Sequence, residues 1–174
     1  MGHVNNVVYN RWAESARVNW VSNYARSLDK AHAKQWKELS TPTGIGMILR
    51  SIRTDFKFPM RYPDRVSVFH KLASVVTAES DAFTLDVMIL SEKERRVSAR
   101  CVEDIVLYDY RAAKKVKMGD LPFMLKAFEG TRQEQQDEAE RRMQQRQRLT
   151  EALREIELGS WDRPDAKEDF GSAA

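Results

Sequence analysis

The sequence predicts an α+β fold, in which a helix is followed by an antiparallel sheet and then by a second, long helix. Three observations support this prediction. Apolar residues recur every three to four positions up to residue 28, every second position from Gly44 to about Met118, and sparsely at helical spacing beyond Thr131. A period near 3.6 is typical of helices and a period of two is typical of strands. A helix followed by a run of strands predicts that the helix packs on one face of the sheet.

Residues 5–28 are predicted to form the first helix. Asn5 or Asn6 is expected to cap it, because a side-chain oxygen there can accept a hydrogen bond from a free backbone amide. The apolar stripe is wide and aromatic, so we expect other structure to enclose this helix. A short polar helix is predicted for residues 30–40. The stripe of the first helix recurs every four positions, at Val8, Trp12, Ala16 and Trp20.

Four strands are predicted between Gly44 and Met118. Segments rich in Pro, Asp, Ser and charged residues separate them and are typical of turns. Consecutive strands joined by short turns indicate an antiparallel meander. The predicted strands cover residues 47–58, 66–77, 83–90 and 97–110.

The chain beyond Gly119 has a different character. Leu121–Leu125 is expected to dock on the preceding domain, and residues 131–158 are predicted to form a helix because they are rich in Gln, Glu and Arg and contain no Gly or Pro. A solvated helix held by charge pairs and a coiled-coil or partner-binding helix both fit this pattern. The rest is predicted to be disordered, apart from a contact of Trp161. The predicted organisation is a domain over residues 1–118, a helical extension over 119–159 and a tail over 160–174.

Composition excludes several classes of protein. Twenty-nine basic residues face 26 acidic ones, giving a net charge of +3, which is too balanced to indicate nucleic-acid binding. No run approaches the roughly 20 apolar residues of a membrane span. No His, Cys or carboxylate cluster has the spacing of a metal site. We therefore expect no nucleic acid, no membrane span, no metal and no cofactor. The lone Cys101 fits an intracellular location.

The run Gly2-His3-Val4-Asn5-Asn6-Val7-Val8-Tyr9 resembles a motif of the hotdog superfamily of acyl-thioester hydrolases. The closest likeness is to the 4-hydroxybenzoyl-CoA thioesterase-like and acyl-carrier-protein thioesterase branches. Phe56-Lys57-Phe58-Pro59, Tyr62-Pro63-Asp64-Arg65-Val66 and the ending Val106–Tyr110 also resemble the family. The resemblance covers about residues 2–118. It implies a sheet wrapped around one helix, a homodimer or higher homo-oligomer, and a role in fatty acid metabolism.

The resemblance also implies an activity, the hydrolysis of an acyl-CoA or acyl-carrier-protein thioester at the amino end of the first helix. Backbone amides and the positive helix end stabilise the developing oxyanion there. The candidate catalytic residues are His3, Asn5 and Glu14, and the candidate substrate-binding residues are Asn6 and Tyr9. The small positive charge is compatible with a phosphate-bearing carrier such as coenzyme A.

Each candidate has a purely structural alternative. His3 fits a surface imidazole equally well, and capping of the helix accounts for at least one of Asn5 and Asn6. Tyr9 is expected to pack against the sheet. An ion pair with a cation such as Arg17 accounts for Glu14. His70, in a strand, is expected to be a core or edge residue.

The sequence departs from the family at its start. In matching families a catalytic Asp on the first strand precedes the Gly-His pair, whereas this chain begins at Met1. We therefore expect the first strand and its Asp to be absent, through truncation or in a non-catalytic binding or assembly protein that has lost the Asp. A sheet without that strand would expose an unpaired edge, which favours truncation. Whether the compartment is mitochondrial or cytoplasmic is left open.

Overall fold

The computed structural model describes residues 2–160. They contain helices packed against an antiparallel sheet, so the predicted α+β class is confirmed. They fall into two units, one up to Arg132 and one from Gln133 onward. The elements in chain order are α1 (Asn6–Asn23), a π-helical turn (Tyr24–Leu28), a 3-10 turn (Lys30–His32), α2 (Ala33–Glu38), β1 (Ile45–Phe56), β2 (Val66–Leu72), β3 (Ala82–Ser91), β4 (Arg96–Asp109), β5 (Lys114–Lys115), a 3-10 turn (Met118–Asp120) and α3 (Pro122–Ser160).

The strands form one antiparallel sheet in the order β1-β4-β3-β2, and the short β5 pairs with the end of β4. β4 is the longest strand, at 14 residues, and it lies between β1 and β3. Cys101 of β4, for example, is opposite Thr54 of β1 and Val87 of β3. The alternation of β4 therefore determines which side chains of the central sheet point toward the helices.

Helix α1 packs on one sheet face and contributes to two separate hydrophobic clusters. Near its amino end, Tyr9 and Ala13 join the first cluster, which continues into β3 and β4. Nearer its carboxyl end, Val21 joins the second cluster, in which the Tyr24 and Trp36 rings stack with their centroids 4.4 Å apart. The predicted enclosure of this helix is wrong, because only Tyr9, Ala13 and Val21 are buried in α1, whereas Val7 and Val18 are more than half exposed.

The predicted strand over residues 66–77 is too long, because β2 ends at Leu72. The Ala73 N–H still donates to the Thr84 carbonyl at 2.9 Å, but the Thr84 N–H donates to the Ser74 hydroxyl at 3.0 Å. The Ser74 hydroxyl thus takes the place of a backbone carbonyl as the acceptor for the Thr84 N–H, so the pairing of β2 with β3 ends here. The predicted first helix also changes before its end, since residues 24–28 form a π-helical turn closed by the Asp29 N–H on the Tyr24 carbonyl.

Helix α3 begins at Pro122, nine residues before the predicted start at Thr131. Proline is well suited to the first position of a helix, because an amide there needs no intrahelical acceptor. The first turns are held in the core of the first unit by Met124 and Phe128, and the Phe128 ring meets the Phe83 ring edge-to-face at 4.9 Å. The helix then continues through the second unit to Ser160. The tail predicted beyond it, including Trp161, lies outside the described residues.

Candidate active site

The amino end of α1 is capped by its own sequence. Asn5 has extended backbone geometry and its side chain accepts a hydrogen bond from the Val7 N–H at 3.0 Å. The Val8 N–H donates to the Asn5 carbonyl at 2.9 Å. The Asn6 N–H, the first amide of the helix, has no acceptor among the described residues. Capping thus occupies the Asn5 side chain and leaves one open donor at the positive end of the helix.

A cavity of about 220 Å³ borders this helix end. Tyr9 forms part of its wall, almost fully buried, and its hydroxyl accepts a hydrogen bond from the Met60 N–H at 3.3 Å. The Val4 N–H donates to the Met60 carbonyl at 2.9 Å, which ties the segment before α1 to the segment after β1. The lining is apolar apart from a few polar groups and consists of His3, Val4, Asn6, Tyr9, Phe56, Lys57, Phe58 and Pro59.

The five candidate residues do not lie together. His3, Asn6 and Tyr9 line the cavity just described, whereas the Asn5 side chain is engaged in the cap. Glu14 is exposed and lines a second cavity, of about 490 Å³, with Arg11 and Arg17 on α1 and residues of β1. His3 and Glu14, two of the candidate catalytic residues, therefore line different cavities.

A buried polar cluster that the sequence analysis did not identify lies behind α1. Arg17 donates a short hydrogen bond to Oε1 of Glu103 on β4, and the Glu103 side chain is 0% exposed. Nε2 of His70 on β2, with a side chain 1% exposed, lies 3.4 Å from the other carboxylate oxygen, Oε2. Neither Nε2 nor Oε2 has a hydrogen-bond partner among the described residues. Arg17 therefore pairs with Glu103, and the predicted ion pair of Glu14 with Arg17 or another cation does not occur among the described residues.

The polar cluster lies between the two hydrophobic clusters on all three elements that contribute to it. Along β4, Glu103 follows Cys101 of the first cluster and precedes Ile105 of the second; Arg17 on α1 and His70 on β2 have the same intermediate placement. The sequence did contain an indication of this buried cluster, because Glu103 occupies an inward-facing position in the alternation of β4. A carboxylate at such a position requires a buried partner.

The described part of the chain contains no group of three or more His, Cys, Asp or Glu side chains that could hold a metal ion. In the same part, no helix is both long enough and apolar enough to cross a membrane.

A helix packed on an antiparallel sheet, with its capped amino end beside a cavity, is typical of hotdog domains. Comparison of the sequence with known families agrees, since the thioesterase-like superfamily matches residues 1–128. The chain belongs to this superfamily. No curated protein sequence matches it.

Solved structures support the same fold. The chain is similar to DHNA-CoA thioesterase from Staphylococcus aureus, with 17% identity, a TM-score of 0.62 and coverage of 79% of this chain and 84% of that one. A Staphylococcus aureus protein in complex with CoA is 10% identical, with a TM-score of 0.57 and coverages of 75% and 73%. A 1,4-dihydroxy-2-naphthoyl-CoA thioesterase from Synechocystis is 18% identical, with a TM-score of 0.52 and coverages of 71% and 83%.

Proposed function

We propose that this protein hydrolyses the thioester of an acyl-CoA or acyl-carrier-protein substrate in the cavity at the amino end of α1. The observation that carries the proposal is the open N–H of Asn6, a residue that lines a cavity of about 220 Å³. Hydrogen-bond donors that are fixed before the reaction stabilise the oxyanion of acyl transfer and are usually the largest single contribution to its catalysis. Family membership supports the same reaction class.

In this proposal the substrate carbonyl oxygen accepts the Asn6 N–H, and His3 activates water. The His3 Nδ1 lies 3.1 Å from the Val4 carbonyl oxygen. In the tautomer that donates the Nδ1–H to this carbonyl, Nε2 keeps the lone pair that a base needs. Water adds to the carbonyl carbon and gives a proton to His3. The C–S bond then breaks, the thiolate takes that proton, and a carboxylic acid and a free thiol are released.

The cavity's remaining side chains suit an acyl-CoA. Phe56 and Phe58 offer apolar surface to an acyl group, and Lys57 between them offers a cation to a phosphate. Three structurally similar proteins carry CoA in their names or were solved with it. We propose CoA as the carrier on these grounds.

Substitution of Asn6 by proline tests the open amide directly. Proline removes the N–H but fits the first position of a helix, and the residue before it must be extended, as Asn5 already is with φ −66° and ψ 140°. We expect Asn6→Pro to reduce kcat by about 10²–10³-fold, the cost of removing one oxyanion donor. The matched control is Asn6→Ala, which keeps the N–H and should retain most activity. Thiol release from a panel of acyl-CoAs measures both.

Equal activity of the two Asn6 variants would show that the Asn6 N–H has no part in the mechanism.

A second comparison separates the two candidate bases, His3 and Glu14. We expect His3→Ala to lower kcat by at least about 10²-fold and Glu14→Gln to leave it within about twofold, since Glu14 lines the other cavity. Loss of activity in Glu14→Gln alone would transfer the base role to Glu14.

A second candidate function is acyl-CoA binding without hydrolysis. The supporting observation is that, within residues 2–160, no carboxylate lines the cavity that holds His3 and Asn6. A thioether analogue of acyl-CoA, which cannot be hydrolysed, distinguishes the two functions by calorimetry. Saturable binding of the analogue, together with no thiol release from any acyl-CoA, supports the binding function.

A further inference from the structure

The second unit of the chain presents an apolar face that is short and well defined. Leu149, Leu153 and Ile156 are 58%, 61% and 64% exposed on α3, and Ala152 lies between them in the sequence. Residues spaced by three, four and seven positions lie on one side of a helix. Arg142 and Gln145 end this face toward the amino terminus. Leu158, also exposed, is on the opposite side of the helix.

Charged residues border the face along both of its edges in a regular arrangement. With about 100° of rotation per residue, Arg146 and Glu157 lie along one edge, and Arg148 and Glu155 lie along the other. On each edge the arginine is toward the amino terminus and the glutamate is toward the carboxyl terminus. Glu157 also forms an exposed pair with Arg154 on the same helix at 3.3 Å, an interaction that contributes little to stability.

We propose that this face pairs with the same face of a second copy of the chain, with the two helices antiparallel and centred between Ala152 and Leu153. Leu149 of one copy then lies opposite Ile156 of the other. In an antiparallel pair each edge meets the same edge of the partner with its direction reversed. Arg146 therefore approaches the partner's Glu157, and Arg148 approaches the partner's Glu155.

The same charges oppose a parallel pair. In a parallel, in-register pair the two unlike edges face each other, so Arg146 would approach the partner's Arg148. Glu157 would likewise approach the partner's Glu155. Like charges in facing flank positions are unfavourable, and such flank charges select the partner orientation in helix pairs. The same charge pattern therefore favours both a second copy of the chain as the partner and the antiparallel orientation of the two helices.

The pairing is expected to be weak, because only four small or medium apolar side chains per copy are buried. A standard stable interface buries about 1,600 Å² in total, which is more than a face of this length supplies. The association should therefore depend on protein concentration and decrease with added salt, which screens exposed charges.

Disulfide formation between full-length variants that each carry one added cysteine tests the geometry. Leu149→Cys and Ile156→Cys proteins are mixed at equal concentration, oxidised mildly and analysed by mass spectrometry. The native Cys101 is buried and stays in place. We expect the mixed disulfide between positions 149 and 156 to exceed both same-position disulfides by at least tenfold. Dominant same-position disulfides, or a mixed yield no higher than that of the control pair, would overturn the proposal.

The control pair is Gln147→Cys mixed with Leu158→Cys. These positions are symmetric about the same centre but lie on the far side of the helix, so they should not cross-link. In the cysteine pair at 149 and 156, adding Leu153→Gln should reduce the mixed disulfide at least fivefold, whereas adding Leu158→Gln should leave it unchanged. Equal effects of these two substitutions would also contradict the proposed face.

Discussion

Replacing Arg17 with methionine should destabilise the protein strongly, because it removes the arginine from the buried Glu103 carboxylate and leaves only the His70 ring beside it. The Glu103 side chain is 0% exposed and its ion pair is to Arg17. Removing one partner of a buried ion pair typically costs about 3–5 kcal/mol, since the remaining charge cannot be hydrated. For a chain of this size each kcal/mol lowers Tm by about 2–4 °C. We therefore expect Tm to fall by roughly 6–20 °C.

The chain provides a matched control on the adjacent residue of β4. Asp104 pairs with Arg50 at 2.6 Å, but these side chains are 23% and 49% exposed. Arg50→Met makes the same chemical change in a solvated pair, and exposed pairs contribute about 0–1 kcal/mol. Urea unfolding followed by far-UV circular dichroism gives the free energy of unfolding of each variant.

The double variant Arg17→Met with Glu103→Gln separates loss of charge from loss of packing. It removes both charges, so it should be more stable than Arg17→Met alone. The reasoning is refuted if Arg17→Met and Arg50→Met lie within about 0.5 kcal/mol of each other, or if the double variant is the least stable of the set.

Three further predictions concern a cap, a thiol and a turn. Asn5→Ala should cost about 1 kcal/mol of unfolding free energy and Asn5→Asp much less, because only alanine lacks an acceptor for the Val7 N–H; equal losses in urea unfolding would exclude the cap. Burial raises the pKa of the Cys101 thiol, so an aromatic disulfide reagent at pH 8 should react at least about 100-fold more slowly with the native than with the urea-unfolded protein; equal rates contradict the burial. The hydrogen bond from the Ser91 hydroxyl lowers the pKa of Asp64 below its usual range. Its stabilisation is therefore present above about pH 4 and is lost as pH falls through the lower folded-state pKa. The free-energy difference between wild type and Asp64→Asn should accordingly shrink from pH 6 toward pH 3, and a constant difference would refute this assignment.

Much of the fold could be predicted because hydrophobic period is a local property of the sequence. The change from helical spacing to alternation after Gly44 identified the helix and the four main strands. The residues at which helices and strands begin and end could not be predicted in the same way, because they depend on tertiary contacts and not on hydrophobic spacing. β2 stops where the Ser74 hydroxyl takes the Thr84 N–H. α3 starts at Pro122, and its first turns are held by burial of Met124 and Phe128.

The candidate site was only partly predictable. The His3-Val4-Asn5-Asn6 run predicted the amino end of α1, which begins at Asn6, but which asparagine caps and which amide stays open depends on backbone angles. Glu14 is eight residues beyond Asn6, or about 12 Å along the helix axis, so its distance from the helix end was predictable, whereas the second cavity that it lines was not. The pairing of Arg17 with Glu103 joins residues 86 positions apart, and no local pattern specifies such a pair.

The Arg17–Glu103–His70 layer divides the interior into two compartments, and this division has a consequence for how the protein tolerates change. The first cluster, next to the cavity, and the second cluster, where α3 is anchored, have no residue in common. Distant sites that share no neighbour have additive effects on stability. Substitutions in the cavity beside Tyr9 and substitutions that strengthen the anchorage of α3 should therefore have additive effects on stability, so each can be made without undoing the other.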